Sequence, residues 1–496
     1  MSRPLPAAPE AVAAPEAARR TPRFRARRIP VDVSKLGSVI ASMHHAGLGR
    51  ISGDVQDLSA LGVAVVLPVR NGLDGLLLTG DRLESLEIQV AGRTIFRGAG
   101  TIRRIAEEAE RHVLGIEFEG AGLDLGELHR VEARQTFAQR FQQLEASLRL
   151  DEVSPAFKAW VADVRWQLES LKEFLAQEEK ALASEDQLTR EETFAQYIQE
   201  IAPHLCQAMA ESRARLHELV GHFTDEEHAV HRAYTRRQLV PLFAEAPFAR
   251  RCYEKPLGYA GDYEMMNMLY RDHAEGDTLF ARVLNVYATW EDAARANINR
   301  IEFLGDKIRK TVAASSRERV RIASVGCGPA REIAALLTAN PELGRRLDVA
   351  LIDQEERSIT YCERTLAPFL QTTGVRIEFI RESVRKLLTT RQLEQALGAR
   401  ELIYSAGLFD YLSDRTFSAL LSALWGAIAE GGTLAVGNVA ADNPSRWVME
   451  YILDWFLIHR SPDDLRAMGA QLSPAPRDLR IESEPLGVNL FLVVER

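Results

Sequence analysis

Between residues 319 and 337 the chain reads RVRIASVGCGPAREIAALL: an apolar run enters a turn carrying two glycines and leaves as an amphipathic segment. Glycines at 326 and 328 let the backbone turn sharply and come close to a ligand. The C-terminal third continues the alternation. REIAALL is predicted as a helix, LDVALID, VRIEFI and ELIYSAG as strands, TFSALLSALWGAIAEGG as a helix, TLAVGNVA as a strand, and LRIESEPLGVNLFLVV as a terminal hairpin. Strands alternating with helices imply a doubly wound, Rossmann-like α/β sheet over 311–496.

Open sheets of this kind bind ligands at the carboxyl ends of their strands. Gly326, Cys327, Gly328 and Ala330 then flank the ligand, and Asp353, ending the next strand, is placed to accept from both hydroxyls of a ribose. The dinucleotide fingerprint G-x-G-x-x-G requires glycine at 331, which is Arg331. Adenosylmethionine sites follow G-x-G-x-G, whose last position is the small Ala330, so the expected cofactor is S-adenosyl-L-methionine. Glu382 and Ser383, after the third strand, either hold its adenine or are solvated loop residues. Ser405 and Gly407 lie in the run Tyr404–Tyr411, which leaves the fourth strand where methyl donor and acceptor should meet.

At 496 residues and 46% hydrophobic, the chain is long enough for several cores, and a prior of roughly 150 residues per domain gives two to four units. Its net charge of -9 disfavours nucleic acid as the main partner. Cys206, Cys252, Cys327 and Cys362 are far apart, read as reduced thiols, and form no metal-type cluster with histidine. His228 and His231 are expected to be exposed. No segment has the about 18 consecutive apolar residues of a membrane span, and no signal-peptide core is visible. Residues 1–29 read as a disordered basic tail on a cytoplasmic protein.

The runs VAVVLPV, GLLLTG, LESLEIQVAG and HVLGIEFEG predict a small all-β barrel within 30–125. Long helices follow over 126–310, the first starting at Ser154-Pro155 with Phe157, Val161, Val164, Leu168, Leu171 and Leu175 on one face.

The segment 253–266, YEKPLGYAGDYEMM, holds three tyrosines, three acids and two glycines and suits neither a helix face nor a strand. With GCGPARE, SAGLFDYL and WVMEYILDWFLIHR it resembles the bacterial family that makes 3-hydroxypalmitic acid methyl ester, a quorum signal. That resemblance covers 135–496 and implies a class I methyltransferase fold after a helical region, with the tyrosine-rich run as a lid or substrate wall. It implies methyl transfer to the carboxylate of a small hydrophobic acid. Such an acid, with a pKa of about 4 to 5, is already ionised at neutral pH and needs no general base. Tyr259, Tyr263 and Tyr411 are candidates to hydrogen-bond that carboxylate, Arg295 or Lys255 to pair with its charge, and Gly258 and Asp262 to share the wall. A helix over 447–459 carrying Trp447 and Tyr451 reads as an acyl pocket or as plain helical core.

Asp57, Ser59 and Gly62 fit the D-x-S-x-x-G motif of PilZ domains, and Gly115-Ile116-Glu117-Phe118 resembles their closing strand. Many such barrels bind cyclic di-GMP, with an R-x-x-x-R run supplying guanidinium forks for phosphate. Arg23 and Arg27 match that spacing, a basic tail being the alternative. The expected architecture is therefore multidomain: a PilZ-like β-barrel, a helical middle region and a C-terminal class I methyltransferase fold. A scaffold with a non-catalytic methyltransferase fold, or an enzyme acting on a protein or secondary metabolite, are the competing readings. The oligomeric state is left open, a homodimer included.

Overall fold

The computed structural model describes residues 29–30, 39–68, 77–90, 92–108, 111–120, scattered positions in 122–145, 149–383 and 397–496. Arg23 and Arg27 lie outside these residues. The chain divides into two compact units, Met1–Ala138 and Gln139–Arg496.

The first unit is an antiparallel barrel. Strands β2 (Val39–His45), β3 (Gly49–Ser59), β4 (Gly62–Pro68), β5 (Arg82–Val90), β6 (Arg93–Glu108) and β7 (Arg111–Glu119) pair in the order β3-β2-β5-β6-β7-β4. A β3–β4 pairing closes the ring, removing the sheet edges. Alternation along each strand sends Met43, Leu58, Val65, Ile88 and Leu114 inward. GLLLTG, expected as a strand, falls partly outside the described residues. Its described part, 77–80, is a turn that ends on Gly80 at φ +106, whose N–H donates to Ile102 O. A further short strand, β1 (Ile29–Pro30), pairs with β3, placing Ile29 opposite Leu58 and Pro30 opposite Asp57.

The second unit opens with α1 (Pro155–Ala181), which starts where Ser154 accepts from Phe157 N and Pro155 occupies the first turn. Phe157, Val161, Val164, Leu168 and Leu175 are buried on its inner face. Packed with it are α2 (Gln187–Val220), α3 (Asp225–Phe243) and α6 (Leu279–Trp290); between α3 and α6 come the short α4 (Pro247–Glu254) and α5 (Tyr263–Met268). The core of these helices also contains Trp447, Val448, Tyr451 and Trp455 from far along the chain. His228 and His231 are buried in α3 rather than exposed, because α3 packs on this cluster. His228 Nδ1 meets the Tyr451 hydroxyl at 2.7 Å, and burial lowers its pKa to about 4.

Helix α7 (Asp292–Ala314) leads into a seven-stranded sheet in the order β10-β9-β8-β11-β12-β14-β13. These are β8 (Val320–Val325), β9 (Leu347–Asp353), β10 (Arg376–Arg381), β11 (Arg400–Ser405), β12 (Ile428–Val439), β13 (Asp478–Ser483) and β14 (Asn489–Glu495). All neighbours run parallel except β14, which is antiparallel to both β12 and β13. Helices α8 (Arg331–Ala339), α9 (Glu356–Thr372) and α10 (Asp414–Gly426) connect the parallel strands. Strand order reverses between β8 and β11, so their carboxyl ends open a crevice.

Two predicted helices are shorter in the structure. The one expected to reach the paired glycines 431 and 432 ends at Gly426, because Arg496 donates to the carbonyls of Trp425, Gly426 and Ile428 and Ile428 already pairs with Arg400. The one expected over 447–459 is only α11, Arg446–Tyr451. It stops because Asp454 takes a positive φ of +53 and is held by Lys255 and Arg236. No helix of the described residues is long and apolar enough to cross a membrane.

Phe157 is fully buried against Trp160, Phe223, His231 and Tyr451. Phe157→Ala should therefore cost about 3–5 kcal/mol, read as a lowered thermal midpoint of the second unit.

Candidate functional site

The turn after β8 is held open by its backbone. Gly326 and Gly328 have φ +67 and +52, and Ala330, capping α8, is forced to +47. The N–H groups of Gly326 and Cys327 donate to Ile352 O at 2.9 and 3.0 Å. Asp353, at the end of β9, accepts from Gly328 N and Glu355 N, both at 2.9 Å, and from Ser358 Oγ at 3.3 Å. Burial raises the pKa of this carboxyl, while those donors pull it down. A carboxylate has about four acceptor positions, so acceptor capacity remains on Asp353 beyond these three bonds.

A cavity of about 400 Å³ lies over this turn, within the size range of small-molecule sites. One wall is Gly326, Gly328, Asp353 and Glu382 from the sheet; the other is Tyr259, Gly261, Tyr263 and Tyr411. A Cβ on Gly328 would meet nothing within 4 Å, whereas one on Gly326 would lie 3.1 Å from Leu408 Cβ. Gly407 lines the cavity from the end of β11.

The tyrosine-rich run is fastened to the sheet by its own side chains. Tyr411 donates to Ala260 O at 2.7 Å and accepts from Trp455 Nε1 at 3.1 Å. A Cβ on Gly261 would lie 2.5 Å from the Tyr411 hydroxyl, so close approach requires glycine there. Asp262 is 2% exposed, caps α5 through Met265 N and pairs both oxygens with Arg251 at 2.9 and 3.0 Å. Burial, with Asp353 nearby, pushes the Tyr259 phenol upward, so it stays protonated.

Several expected site residues lie elsewhere. Lys255 is committed to Asp454, donating to its carbonyl and carboxylate at 2.6 Å, and Gly258 is in the turn beside it. Arg295 stacks over Trp290, 4.9 Å away, and lines neither the cavity nor the smaller space beside it. Trp447 and Tyr451 belong to the helical core, Trp447 stacked on His228 at 4.8 Å. Ser405 is spent on Val325 O at 2.7 Å, Cys327 and Ala330 are packed beneath the turn, and Ser383 does not line the cavity. In the barrel, Ser59 closes the β3–β4 turn by donating to Gly62 O. A Cβ on Gly62 would lie 2.4 Å from Ile116 O.

Three residues the sequence reading passed over, Arg300, Asp410 and Asn489, line a smaller chamber whose wall shares Gly261, Gly407 and Tyr411 with the cavity. Asp410 lies in the SAGLFDYL run, the one signal that pointed to it. Its carboxyl is 5% exposed and accepts from Val439 N, and burial raises its pKa to about 6.

No family model matches the chain and no curated protein matches it. Among solved structures it is similar to a possible exported protein from Bordetella parapertussis, at 18% identity and a TM-score of 0.41 over 60% of this chain and 96% of that one. It is also similar to magnesium protoporphyrin IX methyltransferase from Synechocystis PCC 6803 with bound SAH, at 13% identity and a TM-score of 0.35, over 50% and 97%. An O-methyltransferase family protein from Burkholderia thailandensis matches at 18% identity and 0.28, over 42% and 62%. Likenesses at this level carry no weight for activity, which rests on the geometry of the site.

An unfolded aspartate titrates near 4, below the native Asp410 value of about 6. The folded state therefore holds this proton more tightly, and stability present at low pH is lost as pH rises through that window. Asp410→Asn keeps an acceptor for Val439 N and removes the charge. Its thermal midpoint should exceed that of the wild type at pH 8, by up to on the order of 3 kcal/mol in stability, and converge with it near about pH 4.

Proposed function

We propose that this chain is an S-adenosylmethionine-dependent methyltransferase that forms the methyl ester of a small hydrophobic acid. The observation that carries the reading is the cavity in which the Gly326–Gly328 turn and Asp353 face the tyrosine-rich wall across about 400 Å³. The residues present fit the donor: two glycines at positive φ leave the turn's backbone open, and Asp353 at the carboxyl end of β9 keeps acceptor capacity for ribose hydroxyls. When bound, the donor supplies an activated methyl group. What the chain adds is placement. The sheet wall fixes one partner, the wall of Tyr259, Gly261 and Tyr263 encloses the other, and the two walls together exclude water from the line of transfer. A carboxylate needs no base, which suits a wall whose Tyr259 phenol is held in its protonated form. A hydroxyl acceptor is the second reading. It is favoured by Asp410, whose carboxyl near pKa 6 could take a proton.

Incubation of the purified chain with methyl-labelled donor and a panel of fatty acids and alcohols tests both. Label in a base-labile ester is expected, and label only in base-stable ether would overturn the carboxylate acceptor. Gly326→Asp should abolish transfer, since φ +67 and the nearby Leu408 leave no room for the side chain. Undiminished transfer would move the donor site elsewhere.

The barrel is proposed as a PilZ-like module for cyclic di-GMP, making the enzyme responsive to that messenger. Support comes from register: β1 sets the chain immediately after Arg27-Arg28 beside Asp57 and Leu58 of β3. Calorimetry on the full chain should show cyclic di-GMP binding that Arg23→Ala/Arg27→Ala removes. Equal failure of both proteins to bind would end the proposal.

A further inference from the structure

The chamber beyond Gly407 has a chemical character of its own. It is small, about 40 Å³, and is lined by Met266, Asn297, Arg300, Asp410, Trp455 and Asn489 among others. Arg300 reaches it from α7. Its hydrogen bonds go to uncharged acceptors: a long one from Nη1 to Ala406 O at 3.4 Å and one from Nη2 to Met266 Sδ at 3.3 Å. Among the described residues, Arg300 is in no ion pair within 4.0 Å, although neighbouring arginines of the same unit are matched: Arg213 with Glu291 and Asp292, Arg251 with Asp262, Arg282 with Glu191. Asn489 is 6% exposed, and its Nδ2 is buried with no hydrogen-bond partner. Buried donors without acceptors are rare and ask for a missing partner.

We infer that this chamber is a carboxylate subsite in which Arg300 supplies the charge and Asn489 a second donor. A planar guanidinium matches a carboxylate in shape and number of donors, and the chamber has room for a group of that size. A larger dianion is disfavoured by Asp410, which lies beyond ion-pair distance of Arg300 in the same chamber. Asp410 already has one oxygen on Val439 N, and the charges of Arg300 and, more weakly, Arg460 both act on its carboxyl. A Cβ on Gly407 would stand 3.1 Å from Arg300 Nη1, so the glycine lets the guanidinium lie against a residue that lines both the chamber and the larger cavity.

Two carboxylates are candidates for the subsite: the acceptor acid, which rests on the methyl-ester reading, and the methionine tail of the donor. Calorimetry with the full chain separates them, using S-adenosylhomocysteine, methylthioadenosine (the same nucleoside without the amino-acid tail) and dodecanoate. If the donor tail sits there, Arg300→Met weakens S-adenosylhomocysteine about tenfold or more and leaves methylthioadenosine unchanged. If the acceptor sits there, the same variant weakens dodecanoate alone. Arg300→Lys, which keeps the charge and loses the fork, should fall between, and Asn489→Leu should weaken the same ligand as Arg300→Met. Equal binding of all three ligands by wild type and Arg300→Met overturns the subsite, as does a loss that includes methylthioadenosine. A wild type that binds neither adenosyl ligand counts against methyl transfer, while the dodecanoate arm still reads the subsite by itself.

Discussion

A single buried carboxylate holds the ligand-facing turn in shape. Asp353 reaches back from the end of β9 to Gly328 N and forward to Glu355 N, with the Ser358 hydroxyl against it. The turn after β8 contains three consecutive alternate residues at positive φ, one of them an alanine, a conformation that costs energy unless its surroundings fix it. Bonds from one side chain to both flanking loops do so, and they set the width of the crevice. The cavity, the tyrosine wall and the chamber beyond it are all measured from that fixed edge.

The opposite wall depends on a different kind of contact. Tyr411 follows β11 at the sheet, Ala260 and Trp455 belong to the helical core, and Tyr411 joins both through two hydrogen bonds. The glycine at 261 is what allows the approach. The acidic Asp262, which looks like a substrate ligand by composition, instead serves as a helix cap and as the partner of Arg251.

How much of this was legible follows from how local each signal is. The strand and helix alternation after residue 319 is written in hydrophobic period and glycine placement, and the sheet matches it strand for strand. The helix expected over 447–459 was not legible as a short one, because what ends it is an interaction with Lys255 and Arg236, some two hundred residues away. The same holds for the site. Gly326, Gly328 and Asp353 sit within one strand-turn-helix unit and its neighbour. Arg300, Asp410 and Asn489 meet only because α7, the end of β11 and the start of β14 converge, and no spacing in the sequence encodes that. Arg295 was a near miss on the same helix, five residues from the arginine that faces the chamber.

The helices of the second unit share one core with the segment around Trp447–Trp455. The tyrosine wall is tied to this frame by Asp262, which pairs with Arg251 and caps α5, and by Ala260, whose carbonyl accepts from Tyr411. Met266 and Met449 both line the chamber and are unbranched, so their side chains can adapt to an occupant at the cost of the contacts from Arg300 and Asn443 to their sulfurs. The size of group the chamber accepts would then be set by how far two thioethers can move, and would be tuned by substitutions there.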